Sequence, residues 1–215
     1  EDTMAEKSAA KEKIERQPMP EQPAEARRRN FEEVPTGYTE EMAVLEAQRC
    51  LQCKNAPCVK GCPVEIDIPA FIKSISEGKC RDSINKIKET NILPAVCGRV
   101  CPQEEQCQKG CIVGKSHKDV ARAVQIGKLE RFAADWEMEQ GEAEVPRIKP
   151  PTGRRVAIIG SGPAGLTVAA DVRREGHDVR LVRLAQWPLG EAERSQLPPD
   201  EYHCHLTPAE VARLE

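Results

Sequence analysis

The sequence predicts a mainly helical fold with a short, incomplete α/β segment behind it. Eight cysteines fall in two tight groups, Cys50, Cys53, Cys58 and Cys62, then Cys97, Cys101, Cys107 and Cys111. Apolar residues recur at helical spacing before, between and after these groups, the pattern of a helix with one buried face. From residue 154 the style changes to a β-branched run, a glycine-rich turn, a helical stretch and a second alternating run. The expected organisation is a flexible charged arm over 1–30, a helical domain over 31–140, a linker over 141–153, a partial β-α-β unit over 154–184 and an unassigned, irregular tail over 185–215.

Each element has a local reason. The arm is charged and punctuated by Pro18, Pro20 and Pro23, which reads as a solvated segment. Thr39 followed by Glu40 and Glu41 is a helix N-cap with acids in the first turn. Met42, Ala43, Leu45 and Ala47 would form its apolar face, leading into Cys50. Between the cysteine groups, Ile68, Phe71, Ile72 and Ile75 stand at i, i+3, i+4 and i+7, with Asp67 as cap, Pro69 near the start and Gly78 as stop. A second helix covers Asp82–Thr90 with Ile84 and Ile87 inward. After Cys111, the stripe Val120, Val124, Leu129, Phe132, Ala133 and Trp136 predicts one helix running to about Gln140, despite Gly127. Arg155–Ile159 and Asp178–Arg183 read as strands, with a helix over Leu166–Glu175 between them. Thr207-Pro208-Ala209-Glu210 is a capping-box pattern opening a short final helix.

Composition excludes several classes. The net charge is −3 and the pI about 6.0, so no nucleic-acid or anionic-membrane partner is expected. The first residues lack the apolar core of a signal peptide, and no apolar run approaches the roughly 20 residues that span a bilayer. The expected location is cytoplasmic, where thiols stay reduced, so a count of ten cysteines favours metal binding over disulfides. Aromatic residues make up only 3% of the chain. Bound metal would offset part of that deficit, because binding free energy is also folding free energy.

The two groups read C-x2-C-x4-C-x3-C-P and C-x3-C-P-x4-C-x3-C. Short spacings ending in Cys-Pro mark iron–sulfur ligation. In two-cluster ferredoxins, three close cysteines hold one cluster and the cysteine before proline reaches the other. By that logic Cys50, Cys53 and Cys58 share a cluster, Cys62, Cys101 and Cys107 share a second, and Cys111 crosses back to the first. Cys97 is the obvious fourth ligand of the second, but spacing alone does not establish it. The alternative is a zinc-stabilised interaction module, since four thiolates also suit structural zinc. Only Cys50 and Cys53 have the usual C-x2-C zinc spacing, however. Cys80 and Cys204 stand outside the pattern and read as unreactive thiols.

Gly160-Ser-Gly162-Pro163-Ala164-Gly165 is G-x-G-x-x-G between a strand and a helix, the context a dinucleotide site requires. Gly160 would permit the tight turn, Gly162 the approach of a pyrophosphate and Gly165 close helix–strand packing. The same turn also occurs in α/β folds that bind nothing there. No acid ends the second strand; Arg183 stands there, a hint of the 2′-phosphate of NADP. The residues that follow are too few and too rich in proline for the second half of a doubly wound sheet.

Four segments carry a family resemblance: Arg49-Cys-Leu-Gln-Cys-Lys-Asn-Ala-Pro-Cys58, Gly61-Cys-Pro-Val-Glu-Ile-Asp-Ile-Pro69, Cys97-Gly-Arg-Val-Cys-Pro102 and Ile126-Gly-Lys-Leu-Glu-Arg131. In this order they resemble the N-terminal region of the glutamate synthase small-subunit family. That family includes the flavin subunit of NADH-dependent ferredoxin:NADP oxidoreductase, and the N-terminal domain of dihydropyrimidine dehydrogenase is similar. The resemblance implies a helical domain with two [4Fe–4S] clusters ahead of FAD and NAD(P)H domains, in an oxidoreductase that works with a redox partner subunit. The partner would be a glutamate synthase large subunit or a flavin/iron–sulfur subunit. It implies Cys50, Cys53, Cys58 and Cys111 for the first cluster. For the second it implies Cys62, Cys101, Cys107 and, in place of Cys97, Glu130. It also implies FAD rather than NADP at the glycine turn. At Arg183 the chain departs: the family's acid, its Gly-Gly turn and its Tyr-Gly-Ile-Pro stretch are missing. A truncated or frame-shifted product, or a fragment, is therefore expected, without full catalytic competence. Tyr202-His203-Cys204-His205, which has the look of a metal site, then carries no meaning.

Overall fold

The computed structural model describes residues 14–141 and 146–182. The chain divides into two compact units, Glu1–Ala143 and Glu144–Glu215. The predicted helix at Thr207 and the sequence Tyr202–His205 lie outside the described residues.

The described part of the first unit is helical. A single turn, α1 (Ala24–Arg27), precedes α2 (Glu40–Gln48), whose N-cap Thr39 accepts a hydrogen bond from the Met42 N–H. The short α3 (Pro57–Lys60) leads to α4 (Ile68–Ser76), where Asp67 accepts from the Ala70 N–H and Ile68, Phe71, Ile72 and Ile75 are all buried. Next come α5 (Cys80–Lys88), α6 (Pro94–Val100), α7 (Cys107–Gly110), α8 (Ile112–Ser116) and the long α9 (Ile126–Gln140). The core is aliphatic: Ile72, Ile75, Ile84, Ile87 and Leu129 are fully enclosed with Phe71. Few aromatics are needed, because isoleucines stacked at helical spacing bury comparable apolar area.

Three local expectations change. The helix expected over Asp82–Thr90 spans Cys80–Lys88, with Ile84 and Ile87 buried as predicted. On α2, Leu45 is 43% exposed, and the inward face is Ala43, Glu46 and Ala47. A buried charge occupies the place expected of an apolar residue. The stripe from Val120 is not one helix: a 3-10 turn (Val120–Arg122) ends at Ala123, whose backbone is extended, and α9 starts at Ile126.

The last two departures have one cause. The Glu46 carboxylate pairs with Arg49 at 2.5 Å and accepts hydrogen bonds from the Gln125 N–H at 2.9 Å and the Gln17 N–H at 2.8 Å. Arg49 in turn donates to the carbonyls of Arg122 and Ala123. Side chains therefore hold backbone groups that a continuous helix would have used itself. Within the charged stretch expected as an arm, Arg16 donates to Gln125 Oε1, and the Tyr38 hydroxyl donates to the Gln17 carbonyl.

In the second unit, β1 (Arg155–Ile159) pairs in parallel with β2 (Asp178–Val182), in register Arg155 with Asp178 through Ile159 with Val182. The connecting helix α10 (Pro163–Arg174) starts three residues before the expected Leu166, because Pro163 suits the first helical position. No residue of α10 is buried, and Ile159, Leu166 and Val168 are exposed. The described strands and helix thus leave much of their apolar surface uncovered. Arg183 lies outside the described residues.

Candidate metal centre

The centre is organised by two turns that match each other. Cys58-Val-Lys-Gly-Cys62 and Cys107-Gln-Lys-Gly-Cys111 share four of five residues. Each forms one helical turn, α3 and α7, and the same internal bond recurs at its end: Cys62 N–H to Val59 O and Cys111 N–H to Gln108 O, both at 2.9 Å. The Cys58 sulfur takes backbone N–H bonds from itself and Val59, and the Cys107 sulfur takes the equivalent bonds from itself and Gln108.

The turns also pack on each other reciprocally. A Cβ on Gly61 would lie 2.6 Å from the carbonyl oxygen of Gln106, the residue before Cys107. A Cβ on Gly110 would lie 2.7 Å from that of Pro57, the residue before Cys58. Both contacts are backbone, so only glycine allows them. This pseudo-two-fold approach sets the first cysteine of each turn against the last cysteine of the other.

One donor set follows directly. Cys50, Cys53, Cys58 and Cys111 line a common pocket whose other walls are apolar, including Leu51, Ile68, Ile72, Val124 and Ile126. Burial, then the charges of Cys50 and Cys111, push the Cys58 thiol up to about 12. The approach to the pocket is strained: Gln52 and Ala56, either side of Cys53, take positive φ of 52° and 24°, a conformation side chains other than glycine adopt at a cost.

The second set needs α9. Helices α6 and α9 cross at Gly98, where a Cβ would lie 2.6 Å from the Arg131 nitrogen and 2.8 Å from the Gly127 carbonyl oxygen. That closeness carries Cys97 and Cys101, on and just after α6, to Glu130. Burial, then Cys62 and Glu130, push Cys107 up to about 12. Burial, then Cys97, Glu130 and Cys62, push Cys101 up to about 11. Glu130 itself is buried, which raises its carboxyl to about 7 against the opposing hydrogen bond from Asn91. Cys101 and Cys107 thus each have Cys62 and Glu130 as electrostatic neighbours, with Cys97 beside Cys101.

Burial disfavours the charged forms of Cys58, Cys101, Cys107 and Glu130, and neighbouring donors add to this at the three thiols. A cation reverses that penalty, so the chemistry of the sets fits metal. Among the described residues no three His, Cys, Asp or Glu side chains are close enough to hold one ion together. Cys80 is buried away from these sets and raised by that burial. Cys204 lies outside the described residues.

The glycine turn has the expected backbone. Gly160 takes φ +101°, and its N–H donates to the Val182 carbonyl at 2.7 Å. A Cβ on Gly165 would sit 1.9 Å from the Gly160 oxygen, so the helix closes on the turn only with glycine there. Gly162, the N-cap of α10, faces open space. Pro163 and Ala164 form the first positions of α10.

Sequence reasoning missed the matched turns, although the repeat Cys-x-Lys-Gly-Cys was there to be read. It also missed Glu46, Arg49 and Asn91. Glu46 and Arg49 stand three residues apart, an ordinary helical pair by spacing; what buries them and Asn91 is contact with Gln17, Ala123, Gln125 and Glu130, far along the chain.

Residues 27–142 match the family model described as dihydropyrimidine dehydrogenase domain II, 4Fe-4S cluster. Over 186 residues the chain is 38% identical to the NAD-dependent dihydropyrimidine dehydrogenase subunit PreT of Escherichia coli K12, covering 86% of this chain and 43% of that protein. It is 36% identical over 166 residues to the glutamate synthase [NADPH] small chain of Azospirillum brasilense, covering 77% and 34%. It is 38% identical over 164 residues to the glutamate synthase [NADPH] small chain of Escherichia coli K12, covering 76% and 34%. The chain spans less than half the length of these relatives.

Proposed function

Because the chain belongs to the dihydropyrimidine dehydrogenase domain II, 4Fe-4S cluster family, whose relatives here are oxidoreductase subunits, we propose that it is the electron-transfer module of an NAD(P)H-dependent flavin and iron–sulfur oxidoreductase. Cys50, Cys53, Cys58 and Cys111 would hold one [4Fe–4S] cluster. Cys62, Cys101, Cys107 and Glu130 would hold the second. Gly160, Gly162, Pro163, Ala164 and Gly165 would take the pyrophosphate of FAD. Such clusters supply one-electron transfer, which a flavin links to the two-electron chemistry of a nicotinamide.

The observation that carries this reading is the reciprocal packing of the two cysteine turns. It supports donor sets that each draw on both cysteine groups, the arrangement two neighbouring clusters need. The chain's own residues then set the conditions. Leu51, Ile68, Ile72, Val124 and Ile126 keep water from the first set. Glu130 adds an oxygen donor to the second, and charge and solvation of that kind tune a potential. Among the described residues no helix is long and apolar enough to cross a membrane. The relatives' names, subunit and small chain, support a partner subunit as electron acceptor or donor.

Anaerobic purification tests the reading. The expected product is brown, with about eight iron atoms and matching sulfide per chain; a colourless protein with stoichiometric zinc overturns it. The Glu130→Ala variant is expected to change the paramagnetic resonance of one reduced cluster and leave the other as it was. Two unchanged signals would remove the carboxylate from the ligand set.

A further inference from the structure

Five donors surround the second set, where a cluster has four places. Asn91, buried in the loop between α5 and α6, touches both contenders for the last place. Its Nδ2 donates to Glu130 Oε1 at 2.8 Å. Its Oδ1 accepts from the Leu93 N–H at 3.0 Å and from Cys97 Sγ at 3.7 Å. Its own N–H donates to the Ile87 carbonyl at 3.0 Å, anchoring it to the end of α5.

We propose that Asn91 is the positioning residue that assigns the fourth ligand of the second cluster, turning Glu130 toward the metal and holding Cys97 out of the set. The inference rests on the two-cluster reading. The two ends of a carboxamide are not interchangeable: the NH2 group only donates and the oxygen only accepts. The donating end faces the carboxylate, which it orients as an anion. The accepting end faces Cys97 Sγ at 3.7 Å, and an oxygen that only accepts favours no electron-donating role for that sulfur. The amide cannot be turned over to favour Cys97, because the Leu93 N–H at the start of α6 needs the same oxygen. One fixed side chain thus sorts two donors by polarity, as partners beyond the ligands often do at metal sites.

Asn91→Asp separates this role from a structural one. It keeps an oxygen for the Leu93 N–H but puts an oxygen in place of the amide that faces Glu130. The holoprotein of this variant is expected to keep about eight iron atoms. The paramagnetic resonance of its second cluster should change to that of an all-thiolate site, with the first unchanged. Adding Cys97→Ala should then lower iron to about four atoms per chain. A wild-type second-cluster signal in Asn91→Asp overturns the inference, as does a double variant indistinguishable from Asn91→Asp. Should Asn91→Asp fail to fold, Cys97→Ala alone decides: an unchanged second-cluster signal upholds the exclusion of Cys97, and loss of that signal overturns it. Wild-type protein carrying zinc instead of iron would overturn the two-cluster reading itself; eight iron atoms with an indifferent Asn91 would overturn only this inference.

Discussion

If the two proposed donor sets each hold a cluster, replacing Gly110 with alanine is expected to cost the protein iron from both at once. The added Cβ would stand 2.7 Å from the Pro57 carbonyl oxygen and 2.9 Å from its carbon. Both are backbone atoms that a rotamer change cannot move aside. The two cysteine turns must separate, at about 1–3 kcal/mol for the overpacking. Separation draws Cys58 from Cys111 and Cys62 from Cys107 together, so neither set stays closed. A single cysteine-to-serine change would instead weaken one cluster. The reciprocal contact predicts the same result for Gly61→Ala, whose Cβ meets the Gln106 backbone at 2.6 Å. Iron and sulfide analysis after anaerobic purification measures it, with Gly162→Ala as control, because nothing lies within 4 Å there. Full iron content in both variants would show that the turns do not govern cluster assembly.

The second large effect is expected at Glu46. Its side chain is fully buried, and three partners depend on it: Arg49, the Gln125 N–H and the Gln17 N–H. Glu46→Ala leaves the Arg49 guanidinium buried without its counter-ion and strands two backbone donors. Breaking one side of a buried pair costs about 3–5 kcal/mol, most of it from the charge left behind. Leu45→Ala, one residue away on the exposed face of the same helix, should change stability by roughly 0.5 kcal/mol or less. Denaturant unfolding of the iron-loaded proteins under anaerobic conditions compares them. A loss below about 1 kcal/mol for Glu46→Ala would mean that Arg49 finds other compensation. The network also joins the end of α2, just before Cys50, to the start of α9, which carries Glu130. A loosened Glu46 should therefore be felt in both donor sets.

The helices that line the core were legible because their signal is local. Ile68, Phe71, Ile72 and Ile75 declare a buried face by spacing alone, and Asp67 and Thr39 declare the caps. The β-α-β unit was legible for the same reason, its glycines standing between a β-branched run and a helix. The break at Ala123 was not. The stripe Val120, Val124 and Leu129 fits a helix well, and only the bonds from Arg49, 73 and 74 positions earlier, show why the backbone leaves it. The inward turn of Glu46 was hidden likewise, since a charge on an amphipathic helix ordinarily faces water. Asn91 has no signature at all; its meaning lies in Glu130, 39 residues on.

By itself the sequence determined the donor chemistry, the grouping of the cysteines and the faces of the helices, because each of these depends on residues a few positions apart. Spacing and the resemblance also proposed which donors share a set; only the tertiary structure decided the packing that brings Cys58 near Cys111 and Cys62 near Cys107. That depends on how closely two backbones approach, and here the approach is set by glycines in one turn meeting carbonyls in another, across a separation no local pattern spans.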